Sequence, residues 1–137
     1  MAEYTKPIPV ADERSQPWFD AAREHRLLLQ RCTNCGTHRF PAWPRCDECW
    51  STEWEWAQSS GKGTVFTWGR MHQVYQEGFK DEVPYTIAIV ELDEGPWMNT
   101  NLVNVEPHAV KAGLRVEVVF DDITDEISLP KFQPLRE

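Results

Sequence analysis

All four cysteines of the chain fall within eighteen residues, as Cys32-x-x-Cys35, ten intervening residues, and Cys46-x-x-Cys49. Two such knuckles brought face to face supply four thiolates in the tetrahedral arrangement that zinc favours. Gly36 follows the first pair, where the chain must turn back and a positive φ costs glycine least. The alternatives are two disulfides or four ordinary thiols. Disulfides need an oxidising compartment, and the sequence carries no export signal. The spacing therefore predicts one structural zinc ion held by Cys32, Cys35, Cys46 and Cys49.

A four-cysteine site is closed. It leaves no position for water or substrate, so the metal is expected to hold structure and do no chemistry. Four thiolates and one divalent ion sum to a charge of minus two. Arg31, Arg39 and Arg45 flank the knuckles and can offset it, or can simply be solvated. His38 lies nearby but is not needed as a ligand. Iron in a rubredoxin-like electron carrier is the competing metal, but rubredoxins separate their knuckles more widely.

The 137 residues suffice for one compact domain, or for a metal-stapled module joined to a modest one. A net charge of -8 repels polyanions and argues against a general nucleic-acid or anionic-membrane partner. Without an apolar leader or a membrane-length apolar run, a cytoplasmic location is expected. Tryptophan is the unusual component: five of the seven, at 18, 43, 50, 54 and 56, precede residue 60. A segment that small cannot bury them all in a core of its own. Some must pack against the rest of the chain or against another protein.

The organisation along the chain is mainly β. Residues 1–14 read as an extended arm, and residues 15–59 as a helix followed by the zinc ribbon. Ser15 is a suitable N-cap with Pro17 in the first turn, and the helix should stop near His25. Leu27-Leu28-Leu29 reads as a brief strand entering the first knuckle, and Trp54 and Trp56 alternate with Glu53 and Glu55 as in a half-exposed strand. Ser59-Ser60-Gly61 marks the boundary, with Gly61-Lys62-Gly63 a hinge. Residues 60–137 then form a barrel and C-terminal tail. Its strands are expected at Lys62 to Tyr75 (with Gly69 a bulge), Pro84 to Leu92, Trp97 to Val103, Leu114 to Phe120 and Thr124 to Leu129, with a helical turn within 106–112. Five strands, the first long, with a helical turn between the third and fourth, predict an OB-fold barrel.

In this order the chain resembles the zinc-ribbon/OB-fold proteins associated with acyl-CoA metabolism, a family long filed as a domain of unknown function. The resemblance spans nearly the whole chain. It rests on the runs beginning Ser15-Gln-Pro-Trp, Leu27-Leu-Leu-Gln, Ser60-Gly-Lys-Gly, Pro84-Tyr-Thr-Ile, Gly113-Leu-Arg-Val and Leu129-Pro-Lys-Phe. Trp50 departs from it, standing where such knuckles often have glycine or another small residue. The resemblance implies a rubredoxin-like ribbon and an accessory subunit of a thiolase-fold enzyme acting on CoA thioesters. The partner is either an acetoacetyl-CoA thiolase or HMG-CoA synthase type complex, or a lipid-transfer-protein-like aldolase that shortens a steroid side chain. The closing Asp125-Glu-Ile-Ser-Leu-Pro-Lys-Phe run is nearer the steroid branch.

Nothing in the sequence assembles into a catalytic constellation. His25, His38, His72 and His108 are scattered, and the acidic pairs Asp121-Asp122 and Asp125-Glu126 read as solvated turn residues rather than an acid–base pair. A nucleic-acid-binding module is the rival from another class, with Phe66, Trp68 and Tyr75 to stack bases. It lacks a basic groove, since only Lys62, Arg70 and Lys80 are cationic across the front of the barrel. The expectation is instead a docking module. Trp18, Phe19, Trp43 and Trp54 would contact the partner enzyme, and Trp68 and Tyr85 would lie along the path of the acyl-CoA substrate.

Overall fold

A computed structural model describes residues 4–136; the first three residues of the expected arm and the last of the tail lie outside it. The arm runs from residue 4 to residue 11 without regular structure. It is nonetheless tied down: Lys6 Nζ contacts Glu82 at 2.6 Å, and a Cβ at Gly78 would clash with the Thr5 carbonyl oxygen. Gly78 thus lets the arm cross closely over the loop at 72–84.

Helix α1 (Gln16–Arg23) begins one turn earlier in its capping than the sequence suggests. Ser15 has helical backbone angles and makes no side-chain cap. Asp12 caps instead, its Oδ1 accepting the Ser15 amide and hydroxyl at 2.8 and 2.9 Å, while the Asp12 amide donates to Ser15 Oγ at 3.0 Å. This is a reciprocal capping box. The helix closes with His25 at φ 60°, the Arg26 amide reaching back to the Ala21 carbonyl and the His25 amide to that of Ala22. That left-handed stop is one more often made by glycine.

Strands β1 (Leu28–Cys32), β2 (His38–Arg39) and β3 (Trp54–Gln58) form an antiparallel sheet in the order β2-β1-β3. β1 runs three residues beyond the expected Leu27–Leu29 and delivers Cys32 at its end. β2 has no pattern that two residues could reveal.

β4 (Lys62–Met71), β5 (Tyr85–Leu92), β6 (Trp97–Leu102), β7 (Arg115–Asp122) and β8 (Ser128–Pro134) close a barrel in the order β4-β5-β6-β8-β7, with β7 pairing back onto β4. This is the expected five-stranded OB arrangement, and a 3-10 turn at Pro107–Ala109 sits between β6 and β7. Three local expectations fail. β4 ends at Met71, leaving Tyr75 in an exposed loop. Its register shift lies between Val65 and Thr67, not at Gly69, because Phe66 is the extra residue and turns outward to stack on Trp97 at 4.4 Å. The last strand is Ser128–Pro134, not Thr124–Leu129, which supplies the turn and only the first two residues of β8. Pro130 and Pro134, which in sequence argue for a tail, lie within β8. β8 tolerates them because its second neighbour, β6, pairs with it only at Phe132, leaving that side of the strand largely unladdered.

Gly61-Lys62-Gly63 is not a loose hinge. Gly61 has φ 77° and its Cβ would meet Val118 at 2.6 Å, while a Cβ on Gly63 would strike Val90 and the Glu91 carbonyl. The core beneath is shared. Leu27 and Leu29 from the ribbon side join Val65, Val90, Val116 and Phe132 of the barrel, and Trp18 and Phe40 pack against them. Of the five N-terminal tryptophans, Trp18 therefore packs on the core, Trp54 and Trp56 are half-buried, and Trp43 and Trp50 stay exposed.

Candidate metal centre and docking surface

The ribbon sheet sets the two knuckles opposite one another. Cys32 leaves the end of β1, and its amide donates to the Thr37 carbonyl at 2.9 Å; the Cys46 amide does the same to Ser51 at 2.9 Å. The amide after each second cysteine closes the turn, Gly36 onto Cys32 and Trp50 onto Cys46, both at 2.9 Å. All four Sγ atoms lie within 4.8 Å of one another, with Cys32–Cys49 and Cys35–Cys46 at 3.6 Å. Tetrahedral zinc–sulfur bonds require sulfur atoms about 3.8 Å apart. The donor set and its spacing fit a zinc ion, and His38 in β2 is not among the clustered ligands.

The surroundings favour thiolates at Cys32, Cys35 and Cys46; at Cys49 the lowering contact from Asn34 is outweighed by burial and the neighbouring Cys32 and Cys35 sulfurs, which hold that thiol up. Backbone amides of Cys35 and Asn34 hold the Cys32 thiol below its ordinary range, and the hydroxyl and amide of Thr37 do so for Cys35. Arg39 donates to Cys46 Sγ at 3.1 Å, and Asn34 Nδ2 to Cys49 Sγ at 3.2 Å. Of the three arginines named from sequence, only Arg39 touches a sulfur. Arg31 pairs with Glu55 at 2.9 Å, and Arg45 donates to the Trp50 carbonyl at 3.1 Å.

Beside the ribbon an aromatic groove of about 390 Å³ opens between α1 and the loop after β2. Trp18, Phe19, Phe40, Pro41 and Trp56 line it. Trp18 stands edge-on to Phe19 at 4.9 Å and tilted against Phe40 at 5.7 Å, and its Nε1 is buried with no hydrogen-bond partner. Trp54 meets Trp56 edge-on at 5.0 Å and lines an adjoining cleft with Pro17 and Arg14. Trp18, Phe19 and Trp54 thus come together along one side of the molecule. Trp43 lines neither cleft. It is 62% exposed, its backbone clamped by both ends of the Gln30 carboxamide at 2.6 and 2.9 Å.

On the barrel, Trp68 lines a cleft of about 560 Å³ floored by Gly69, Ile87 and Ile89 and edged by Asn99 and Asn101. Tyr85 lies outside it, half-buried near Phe79. The two residues chosen for a substrate path therefore share no pocket. The sequence reading missed the Phe66–Trp97 stack, whose only signal is the position of Trp97 outward of the buried Met98. Arg70 donates to Thr86 Oγ1 at 2.6 Å rather than facing a groove. Of the two acidic pairs, the first is engaged structurally, Asp121 with Lys131 at 2.6 Å and Asp122 with His25 and Ser128, whereas Asp125 and Glu126 stay exposed in the turn before β8, as expected.

Among the described residues no helix is long and apolar enough to cross a membrane. Comparison with known proteins gives a consistent kinship. The family model for the rubredoxin-like zinc ribbon domain of ChsH2 matches residues 19–55, and that for its C-terminal OB-fold domain matches residues 56–121. A DUF35 domain-containing scaffold protein of Methanocaldococcus jannaschii is 38% identical, over 80% of this chain and 77% of that protein. A probable enoyl-CoA hydratase alpha subunit of Thermomonospora curvata is 36% identical over 94% of the chain, which spans only 40% of that subunit. The 3-oxo-4,17-pregnadiene-20-carboxyl-CoA hydratase alpha subunit of Mycobacterium tuberculosis is 33% identical over 79% of the chain and 34% of its own length. Among solved structures, a chain of the Ltp2-ChsH2(DUF35) aldolase superposes with a TM-score of 0.82 at 35% identity, over 93% of this chain and 98% of that one. With ribbon and barrel each matched in order, the chain belongs to the DUF35 family, in the branch of the ChsH2 zinc-ribbon and OB-fold domains.

Proposed function

We propose that the chain is a non-catalytic accessory subunit that docks on a thiolase-fold, lipid-transfer-protein-like enzyme acting on acyl-CoA thioesters, in a retro-aldol carbon–carbon cleavage of steroid side-chain breakdown. The observation that carries this reading is the aromatic groove of Trp18, Phe19, Phe40 and Trp56 beside a closed metal centre, on a chain whose net charge is otherwise -8. Buried aromatic anchors with a charged surround are the usual anatomy of a subunit interface. The similarity to a chain of the Ltp2-ChsH2 aldolase, and to a steroid-CoA hydratase alpha subunit, supports the choice of partner and substrate class.

In this reading the zinc ion holds the ribbon sheet so that α1 and the Phe40–Ala42 loop keep the groove open. The barrel then stands beside the CoA entrance of the partner, with the Trp68 cleft facing the acyl path and Tyr85, outside that cleft, not part of it. The test is binding of the purified chain to the Ltp2 subunit of that aldolase by calorimetry, with Phe19→Ser alongside. A one-to-one complex weakened at least tenfold by Phe19→Ser supports the proposal. No complex, or aldol cleavage by the isolated chain, overturns it.

A further inference from the structure

The two zinc knuckles superimpose in their hydrogen bonding but not in their chemistry. The residue after the second cysteine has a positive φ in both, 81° at Gly36 and 67° at Trp50. Glycine adopts that conformation freely; a bulky aromatic is a genuine outlier there. Trp50 takes no part in the core in return. It is 71% exposed, belongs to no described aromatic pair and touches no part of the core cluster. A strained backbone carrying a large exposed apolar ring points to a role outside the chain.

The surroundings specify what it meets. Asp47, Glu48 and Glu53 lie within three residues and are all exposed. Asp47 is paired with Arg39, but among the described residues no ion pair involves Glu48 or Glu53. The nearest basic side chain in sequence, Arg45, donates to the Trp50 carbonyl. Three carboxylates against the guanidinium groups of Arg39 and Arg45 leave the rim around the ring with a net negative charge.

We infer that Trp50 is an interface anchor, inserted into an apolar pocket of the partner enzyme whose rim carries arginine or lysine side chains. This rests on the accessory-subunit reading but adds a second contact, separate from the aromatic groove. An indole is among the side chains that most often dominate binding when desolvated, and a complementary charged rim orients it.

The experiment pairs stability with affinity, using the zinc-loaded chain and the Ltp2 subunit of the matched aldolase. Trp50→Gly removes ring and strain together. It should raise the unfolding midpoint and slow zinc transfer to a chelator, yet weaken binding at least tenfold. Trp50→Phe should bind within about threefold of the native chain. The double change Glu48→Lys and Glu53→Lys should weaken binding and remove its salt dependence. Undiminished binding by Trp50→Gly, a lowered midpoint, or tighter binding by the lysine variant would each overturn the inference alone. Failure of the native chain to bind overturns the accessory reading and this anchor with it.

Discussion

The Glu94 carboxylate grips the junction between ribbon and barrel: one oxygen accepts the Ser59 hydroxyl at 2.8 Å and the other the Ser60 amide at 2.8 Å. The Ser59 oxygen in turn accepts the Gly61 amide at 2.9 Å, and the Ser59 amide donates to the Leu27 carbonyl. Ser59 is buried, so removing its acceptor leaves a polar group without compensation. Glu94→Ala should cost about 1–2 kcal/mol of stability, read from urea unfolding. It should also expose residues 59–61 to proteolysis. An unchanged urea midpoint would show that the turn holds the junction without this carboxylate.

A second clasp is sensitive to acid. His25, at the left-handed end of α1, stacks on Phe120 at 5.2 Å and places Nε2 2.9 Å from Asp122. The Ser128 hydroxyl and then His25 hold the Asp122 carboxyl below its usual range. A carboxyl lowered by folding adds stability above its unfolded value, and that stability disappears as pH falls through the folded value. The difference in unfolding midpoint between the native chain and Asp122→Asn should thus be present above the range in which an unfolded carboxyl protonates. It should shrink below about pH 4, where free aspartate protonates. Acid also releases metal from thiolates, so the comparison must be between the two proteins at each pH. A difference that persists to strong acid would show that the pair contributes through shape alone.

These two clasps mark the limit of what the sequence discloses. The four cysteines were legible because metal geometry is encoded in local spacing, and the barrel because strand alternation and turn residues recur in order. Glu94 and His25 were not. Each looks like a solvated polar residue until a fold brings a partner from 35 or 97 positions away. The same reason hides the groove: Trp18, Phe40 and Trp56 belong to three separate segments with no periodicity in common. The bulge was misplaced because it turns Phe66 outward without a compositional mark, and Gly69 offered a more familiar one. Trp68 and Tyr85 belong to the register pairs Trp68↔Ala88 and Met71↔Tyr85, three positions apart on the same two strands, and so lie on opposite faces.

Metal removal should separate the two halves of the chain. Replacing Cys32 or Cys46 by serine, or adding a strong chelator, should lose the ion and unfold the ribbon, because binding and folding are one event in so small a unit. Five tryptophans lie before residue 60, so fluorescence should shift to the red while much of the barrel's β signal remains. Partner binding should be lost along with the groove. A Cys32→Ser and Cys46→Ser double variant that keeps native fluorescence and its partner would refute a structural role for the metal.

The closure of the barrel can be tested at one side chain. Phe132 is fully buried, pairs with Val118 on β7 and Leu102 on β6, and its carbonyl accepts the Val103 amide at 2.8 Å. It is thus the single register point through which β6 meets β8, and its ring fills the core reached by Leu29, Val65 and Val116. Truncating a buried phenylalanine removes transfer free energy and leaves a cavity, together about 3–5 kcal/mol. Phe132→Ala should fall in that range, and Phe132→Leu should recover much of it by retaining volume. Hydrogen exchange should quicken first at Val103, whose amide bond to residue 132 is the one most directly disturbed. A loss of less than about 1 kcal/mol on truncation would mean that the segment is a surface tail after all, and that the barrel is closed without it.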